Sequence, residues 1–416
     1  MPLVFSKRFV DFFICIEKFK EKVLKMFNEK MLSFGGKGSV IRQIFEESKA
    51  LQAKIGKENV YDFSLGNPSV APPKKVGDTF KYVLDNTDSI ALHGYTSAQG
   101  DLAVRRRIAE NLNKRFNTAA DENDLYMTCG AAASLTVTLK AICNEGDEVI
   151  VLAPFFPEYK VFIENAGATM KVVQTKKDNF GIDLENIKAA ITAKTKAIII
   201  NSPNNPSGVV FKKEQIVALA ELLKKTENTI YIISDEPYRE LTYDNIEVPF
   251  IPNIYANTVV CYSYSKSLSL PGERIGYIYV SQKAKDAKLL YACVCAAGRS
   301  MGYVCAPSLL QAVVKECDMC PPDVASYDKN RKILMENLKR IGFSFINPDG
   351  AFYLFVKSME EDANIFCEKA KKYNLFLVPS DDFGVTGYVR IAYCVSEKTI
   401  VDSIPSFEKL YKEYEK

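Results

Sequence analysis

Four stretches of this chain combine residue types that could do chemistry. In SYSKSLSLPGERIGY (263–277), Lys266 directly follows an apolar run, with Ser263 and Ser265 beside it and Arg274 a short loop further on. An amine near a fixed cation in a partly dry pocket loses proton affinity and is freed to attack a carbonyl and form a Schiff base, while the hydroxyls and the guanidinium suit a phosphate. The same string also reads as a polar surface loop, so the motif alone does not decide. In SDEPYREL (234–241), Asp235 ends an apolar run and Tyr238 follows one turn later. A buried carboxylate there would hold a ring nitrogen protonated, and it would equally serve as a helix N-cap. NSPNNPSG (201–208) offers the Asn205 amide as a donor, within what is also ordinary turn chemistry. TCGAAASLT (128–136) opens a helix with small residues, which makes the backbone amides of Gly130, Ala131 and Ala132 candidate phosphate donors.

These residues need elements to position them. From about Asp101 the chain alternates: DLAVRRRIAENLNKRF is helical, LYMTC a strand, AASLTVTLKAIC helical, EVIVLAP a strand. KAIIINSP, TIYIISDEPY, TVVCYSYSK and IGYIYVS follow as buried apolar runs, separated by helical stretches such as KEQIVALAELLKKT. That alternation predicts an α/β domain with a mostly parallel central sheet. After about Tyr327 the texture changes to a long charged helix, GAFYLFV, another helix and GYVRIAY, which predicts a smaller α+β domain joined by the N-terminal segment. The expected division is a helical extension over 1–30, the N-terminal part of the small domain over 31–75, the large domain over 76–325 and the C-terminal small domain over 326–416. Asn201–Gly208, Asp235 and Ser263–Lys266 all follow strands, and ligands of open α/β sheets bind outside strand carboxyl ends, so the stretches are expected to converge.

With 416 residues and 47% hydrophobic content, the chain can bury a large core, and two globular domains are expected. A net charge of +3 without long basic runs gives no support to nucleic-acid or membrane partners and favours a small molecule. Eleven irregularly placed cysteines suit a reducing, cytoplasmic setting better than a disulfide framework. Cys317 and Cys320 lack a second pair, so no metal site is expected. His93, the single histidine, cannot build a Ser/His/Asp triad unaided and reads as a structural neighbour of the site. The first thirty residues read as an amphipathic helix too short and too acidic to span a membrane. GGKGS (35–39) lacks phosphate-loop spacing and reads as a flexible turn.

Taken in order, SLGNP, HGYTSAQGDLAVRRRIA, CGAAASLT, VLAPFFPEY, NSPNNPSG, SDEPYREL, SYSKSLSLPGERIGY, GAFY and GYVRIAY resemble the class I/II aminotransferases of the aspartate aminotransferase superfamily, from about Met31 to the C-terminus. The resemblance implies a pyridoxal-phosphate-dependent transferase of fold type I. It implies that Lys266 carries pyridoxal phosphate as a Schiff base, Asp235 pairs with the ring nitrogen, Tyr238 and Asn205 bond the ring hydroxyl, and Phe156 stacks on the ring. Ser263, Ser265, Arg274 and the amides of 130–132 would hold the phosphate, with Tyr95 reaching the neighbouring subunit's phosphate in a homodimer with shared sites. Arg390, helped by the backbone of Gly66, would clamp the substrate α-carboxylate.

The implied reaction is transamination between an L-amino acid and a 2-oxo acid, with aspartate and 2-oxoglutarate as the leading pair. Family members that read a distal carboxylate with a basic residue two positions after the first glycine of the phosphate loop have Ala132 in that place here. Arg299 and Arg42 are the alternative readers, and each is also a reasonable surface or interface arginine. Donors such as alanine, a β-lyase reaction on the same scaffold, and a non-enzymatic ligand-sensing domain are the competing readings. The last would need a winged-helix segment, for which some thirty preceding residues are too few.

Overall fold

The computed structural model describes residues 26–36 and 38–415. The expected helical extension over 1–30 lies largely outside the described residues; what is described there is a helix, Glu29–Gly36, that crosses the expected boundary at residue 30. Gly35 and Gly36 end that helix and Ser39 precedes the next, Val40–Ile55, so GGKGS begins inside a helix and is not wholly a turn, with Lys37 outside the described residues.

In chain order the strands are β1 (Tyr61–Asp62), β2 (Leu125–Thr128), β3 (Glu148–Ala153), β4 (Thr169–Gln174), β5 (Thr195–Asn201), β6 (Tyr231–Asp235), β7 (Thr258–Ser263) and β8 (Gly276–Val280). They continue with β9 (Phe345–Ile346), β10 (Tyr353–Lys357), β11 (Leu375–Phe376), β12 (Val378–Pro379) and β13 (Tyr388–Ala392). The central sheet has seven strands in the order β2-β8-β7-β6-β5-β3-β4, parallel except for β8, which runs antiparallel to both neighbours. Its inner strands are buried along their length because both faces are covered. Ile198 and Ile200 of β5 pack with Ile216, Leu219 and Leu223 of the helix Lys213–Leu223, and Ile199 packs on the opposite face with Leu135 and Leu139 of the helix Ala131–Ile142. Strands covered on both sides read as continuous apolar runs, which is why they were visible in the sequence.

A four-stranded antiparallel sheet, β12-β13-β10-β9, forms the core of the C-terminal part, covered by the helices Val324–Ile341 and Glu397–Lys412 through Leu334, Leu338, Phe407 and Leu410. The N-terminal segment joins it: β1 pairs in parallel with β11, and the Ala392 amide at the end of β13 donates to the Phe63 carbonyl at 3.0 Å. That junction carries the loop 64–67 over the carboxyl edge of the large sheet, where it meets Lys266.

Candidate active site

The convergence expected from strand ends is present in the register. Asn201 at the end of β5 pairs with Asp235 at the end of β6, and Ser263 at the end of β7 pairs with Gly276, which pairs with Thr128 at the end of β2. A cavity of about 270 Å³ opens there. It collects Lys266, Asp235, Tyr238, Asn205, Ser263 and Ser265 from the sheet edge and the loops that follow. Ala131, Ala132, Phe156, Arg274, Gly66 and Arg390 complete its lining.

Lys266 lies in a single helical turn, Tyr264–Ser267, capped by Ser263, whose hydroxyl accepts from the Ser265 amide at 3.2 Å. Its Nζ donates to the Gly66 carbonyl at 2.6 Å and lies 5.2 Å from the Phe352 ring centroid. Burial pushes its pKa down to about 8, and the nearby Arg274 and Arg390 cations act in the same direction. The glycine at 66 lets the Tyr353 ring approach closely, since a Cβ there would lie 2.0 Å from the Tyr353 hydroxyl and push that side chain aside.

Asp235 is 4% exposed. Its Oδ2 accepts from the Tyr159 hydroxyl at 2.5 Å and from Asn201 Nδ2 at 3.4 Å, whereas Oδ1 is buried without a partner. Burial pushes its pKa up to about 7 against the Tyr159 hydrogen bond, which lowers it. No helix starts at Asp235, so the capping alternative is set aside: the chain leaves β6 into a run of turns at 237–240.

Arg390, in β13, is 2% exposed. Its Nη1 donates to Asn205 Oδ1 at 3.0 Å and its Nη2 to the Ser64 carbonyl, and the guanidinium lies 4.6 Å from the Tyr353 ring centroid. Among the described residues its Nε has no partner and no carboxylate forms a salt bridge with it. A buried guanidinium is seldom left without an anion, so this one is arranged for an anion that the chain does not itself supply.

Gly130 (φ 90°) precedes the helix Ala131–Ile142, whose first-turn amides have no intrahelical acceptor. A Cβ on Gly130 would lie 2.7 Å from Arg274 Nη2, so the glycine lets the guanidinium approach the helix start. The Ser263 and Ser265 hydroxyls are 2.8 Å apart, with Arg274 Nη1 3.4 Å from the latter. Two hydroxyls, a guanidinium and a helix N-terminus together make a cradle for a dianion.

Three expected residues stand elsewhere. Arg42 is exposed, and the residue its helix brings to the cavity is Ile41, because adjacent helix positions point about 100° apart. Arg299 is exposed near the end of the helix Ala287–Ser300 and does not line its own chain's cavity. Tyr95 is 98% exposed and also outside it. His93 ends a short helix at the surface. Cys317 and Cys320 are free thiols, and no cluster of three or more metal-ligating side chains occurs among the described residues. No helix among them is long and apolar enough to cross a membrane.

The sequence reading missed Tyr159, Asn201 and Tyr353. Tyr159 lay inside the quoted APFFPEY, three residues after Phe156, a spacing that places both on one face once a helix begins there. Tyr353 lay in GAFY; its hydroxyl is 2.8 Å from that of Tyr238.

Known proteins resemble the chain along most of its length. The sequence profile of the class I and II aminotransferases matches residues 58–403. An aspartate aminotransferase of Thermotoga maritima is 32% identical over 357 residues, 84% of this chain and 91% of its own. A crystal structure of an amino transferase from Eubacterium rectale is 52% identical and superposes with a TM-score of 0.92 over 94% of this chain and 99% of its own. The crystal structure of the Thermotoga maritima aspartate aminotransferase is 29% identical in its alignment, with a TM-score of 0.82 over 92% and 99% of the two chains. The chain belongs to the class I and II aminotransferases of the aspartate aminotransferase superfamily, as a pyridoxal-phosphate-dependent enzyme of fold type I.

Proposed function

We propose that this chain transfers the amino group of an L-α-amino acid to a 2-oxo acid through the cavity around Lys266. The observation that carries the reading is that one cavity is lined by Lys266 together with two incompletely partnered buried charges, Asp235 at Oδ1 and Arg390 at Nε. The residues fit pyridoxal phosphate: an acid with one oxygen free would meet the ring nitrogen, and the cradle of Ser263, Ser265, Arg274 and the 130–132 amides would take the phosphate. Tyr238 and Asn205 would hold the ring hydroxyl, the latter through its Nδ2 since Oδ1 is engaged by Arg390. Phe156 would cover the ring face. Tyr95, exposed in its own chain, would complete the cradle of a second copy in a homodimer.

When bound, the cofactor draws electrons away from the substrate carbon and makes its proton acidic. Arg390 binds the α-carboxylate in a bidentate fork and, with the Gly66 backbone, orients the Cα–H bond toward Lys266. Lys266, with a pKa lowered to about 8, has an appreciable neutral fraction near neutrality and takes the proton at Cα. Loop 64–67 and Tyr353 shield Arg390 from water, which strengthens its hold on the carboxylate.

The division into a small domain of 31–75 with 326–416 and a large domain of 76–325 belongs to this reading, supported by the β1–β11 pairing. So does a cytoplasmic setting, supported by ten free thiols among the described residues.

Aspartate is the donor supported by the names of relatives, with 2-oxoglutarate as the acceptor we pair with it, and Arg299 from a second copy would read the distal carboxylate. A neutral donor is the second reading. It is favoured by the wall of Ile41, Leu65, Ala132 and Leu135, and by the fact that the cations lining the cavity, Lys266, Arg274 and Arg390, already have roles. A screen of acidic, neutral, aromatic and branched donors against 2-oxoglutarate and pyruvate tests both. Release of pyruvate and a thiol from a β-substituted amino acid, with no oxo acid required, would replace transamination by β-lysis.

A further inference from the structure

Asp235 is held by more than its strand. Tyr159, 1% exposed on the first turn of the helix Glu158–Asn165, gives its hydroxyl to Oδ2 at 2.5 Å. That helix start is tied in place by the Phe155 amide, which donates to the Phe383 carbonyl at 3.0 Å, and by the edge-on packing of Phe156 on Tyr159 at 5.7 Å. The other neighbour of the carboxylate, Asn201, is already committed. Its Nδ2 donates to the Asp235 backbone carbonyl at 3.0 Å and its Oδ1 accepts from the Asn205 amide at 2.7 Å, leaving only a 3.4 Å approach to Oδ2. Tyr159 is therefore the one close donor to the carboxylate among the described residues, and Oδ1 is left with none.

We propose that Tyr159 is a positioning residue for transamination: by donating to Asp235 Oδ2 it fixes the carboxylate with Oδ1 toward the cavity and favours the charged form that the cofactor's ring nitrogen pairs with. The proposal rests on the reading of Asp235 as that nitrogen's partner. A phenol buried this deeply stays protonated, since burial pushes its pKa well up, so it acts as a donor throughout. Hydrogen bonding to the charged form of a carboxylate offsets part of what burial takes away. Without the hydroxyl, Asp235 keeps its place on the strand but loses both its orientation and most of its support for ionisation.

The test compares two ligands on the full chain freed of cofactor: pyridoxal phosphate, and its analogue with the ring nitrogen replaced by C–H. Phosphate, ring hydroxyl and aldehyde are the same in both, so only pyridoxal phosphate senses the charge on Asp235. In equilibrium dialysis, Tyr159→Phe is expected to weaken pyridoxal phosphate binding by about tenfold, the value of one hydrogen bond to a charged group. It should leave the analogue within about twofold of the unsubstituted chain. Equal losses for both ligands, or no loss for pyridoxal phosphate, would overturn the role of Tyr159. Asp235→Asn run in parallel separates the two ideas. If it does not selectively weaken pyridoxal phosphate, the underlying reading of Asp235 fails; if it does and Tyr159→Phe does not, only the positioning role fails. Circular dichroism checks that Tyr159→Phe folds. Should it not, Tyr159→His, which keeps a donor, is compared with Tyr159→Leu, which has none, and the selective loss must appear only in the latter.

Discussion

Two groups of buried charge lie side by side in this chain, and they are built on opposite plans. Around Arg239, one residue run beyond Asp235, each charged atom has a protein partner. Arg239 Nη1 pairs with Glu236 at 2.9 Å and Nε with Glu240 at 3.1 Å, and Nη2 donates to the Tyr277 hydroxyl at 3.0 Å. Glu240 also takes Arg115 at 2.7 Å and the Tyr262 hydroxyl at 2.9 Å. Around Lys266 the charges of Asp235 and Arg390 are as deeply buried but left open: among the described residues Asp235 Oδ1 and Arg390 Nε have no partner, and Lys266 reaches only a carbonyl. Burying an unpaired charge is costly, so an open group persists where a ligand completes it, while a closed group holds the fold. Substitutions in the open group should therefore cost activity and spare stability, and those in the closed group should do the reverse.

Lys266→Ala should show the largest effect, a fall in kcat of about 10⁴-fold with little change in melting temperature, because the group that takes the proton is removed and no paired charge is orphaned. A comparable loss of stability in this variant would erase the distinction. Arg239→Met should do the opposite, destabilising by about 3–5 kcal/mol in chemical denaturation because Glu236 is left buried without its cation and Glu240 keeps only Arg115. Activity per folded molecule should stay near that of the unsubstituted chain, measured after the folded fraction is counted.

The third prediction sharpens the contrast through pH. In the folded chain without cofactor, Asp235 has a pKa near 7 against an ordinary 3.8. Between those values the folded state holds a proton that the unfolded state has released, so this residue's contribution to stability falls as pH rises through that window. Asp235→Asn removes the titration. The variant should gain on the unsubstituted chain between about pH 5 and about pH 7.5, by at most about 2.5 kcal/mol, below the range where Lys266 titrates. Denaturation curves at both pH values decide it: a difference independent of pH would mean that Asp235 is not held protonated by burial. The smallest effect is expected at the side-chain wall. Ala132→Lys would add a cation facing the cavity and should raise kcat/KM for aspartate relative to alanine by about tenfold; an unchanged ratio would place the donor's side chain elsewhere.

The open group was more legible in the sequence than the closed one. Lys266, Asp235 and Asn205 each end or follow an apolar run with a strand's composition, so their place at the sheet edge followed from periodicity, whereas Arg390, inside β13, and the roles of all four came from the resemblance. Asn201 and Tyr159 did not stand out, because their importance depends on which strand lies beside which and on where a helix crosses, and periodicity reports neither. Arg42 was expected at the site and Ile41 is there instead, since a one-residue error in helical phase turns a side chain by about 100°. The strand β4, TMKVVQ, was not read because it lies at the sheet edge with mixed burial and lacks the continuous apolar character of its neighbours. The antiparallel direction of β8 was equally hidden, as apolar runs carry no sign of direction.

The central claim is that Lys266 holds the cofactor, and reductive trapping tests it most directly. Borohydride treatment of the holoenzyme, followed by proteolysis and peptide mass mapping, should leave a pyridoxyl group on the peptide containing Lys266. A cofactor that washes away after reduction, or a pyridoxyl group found on another lysine, would contradict the account.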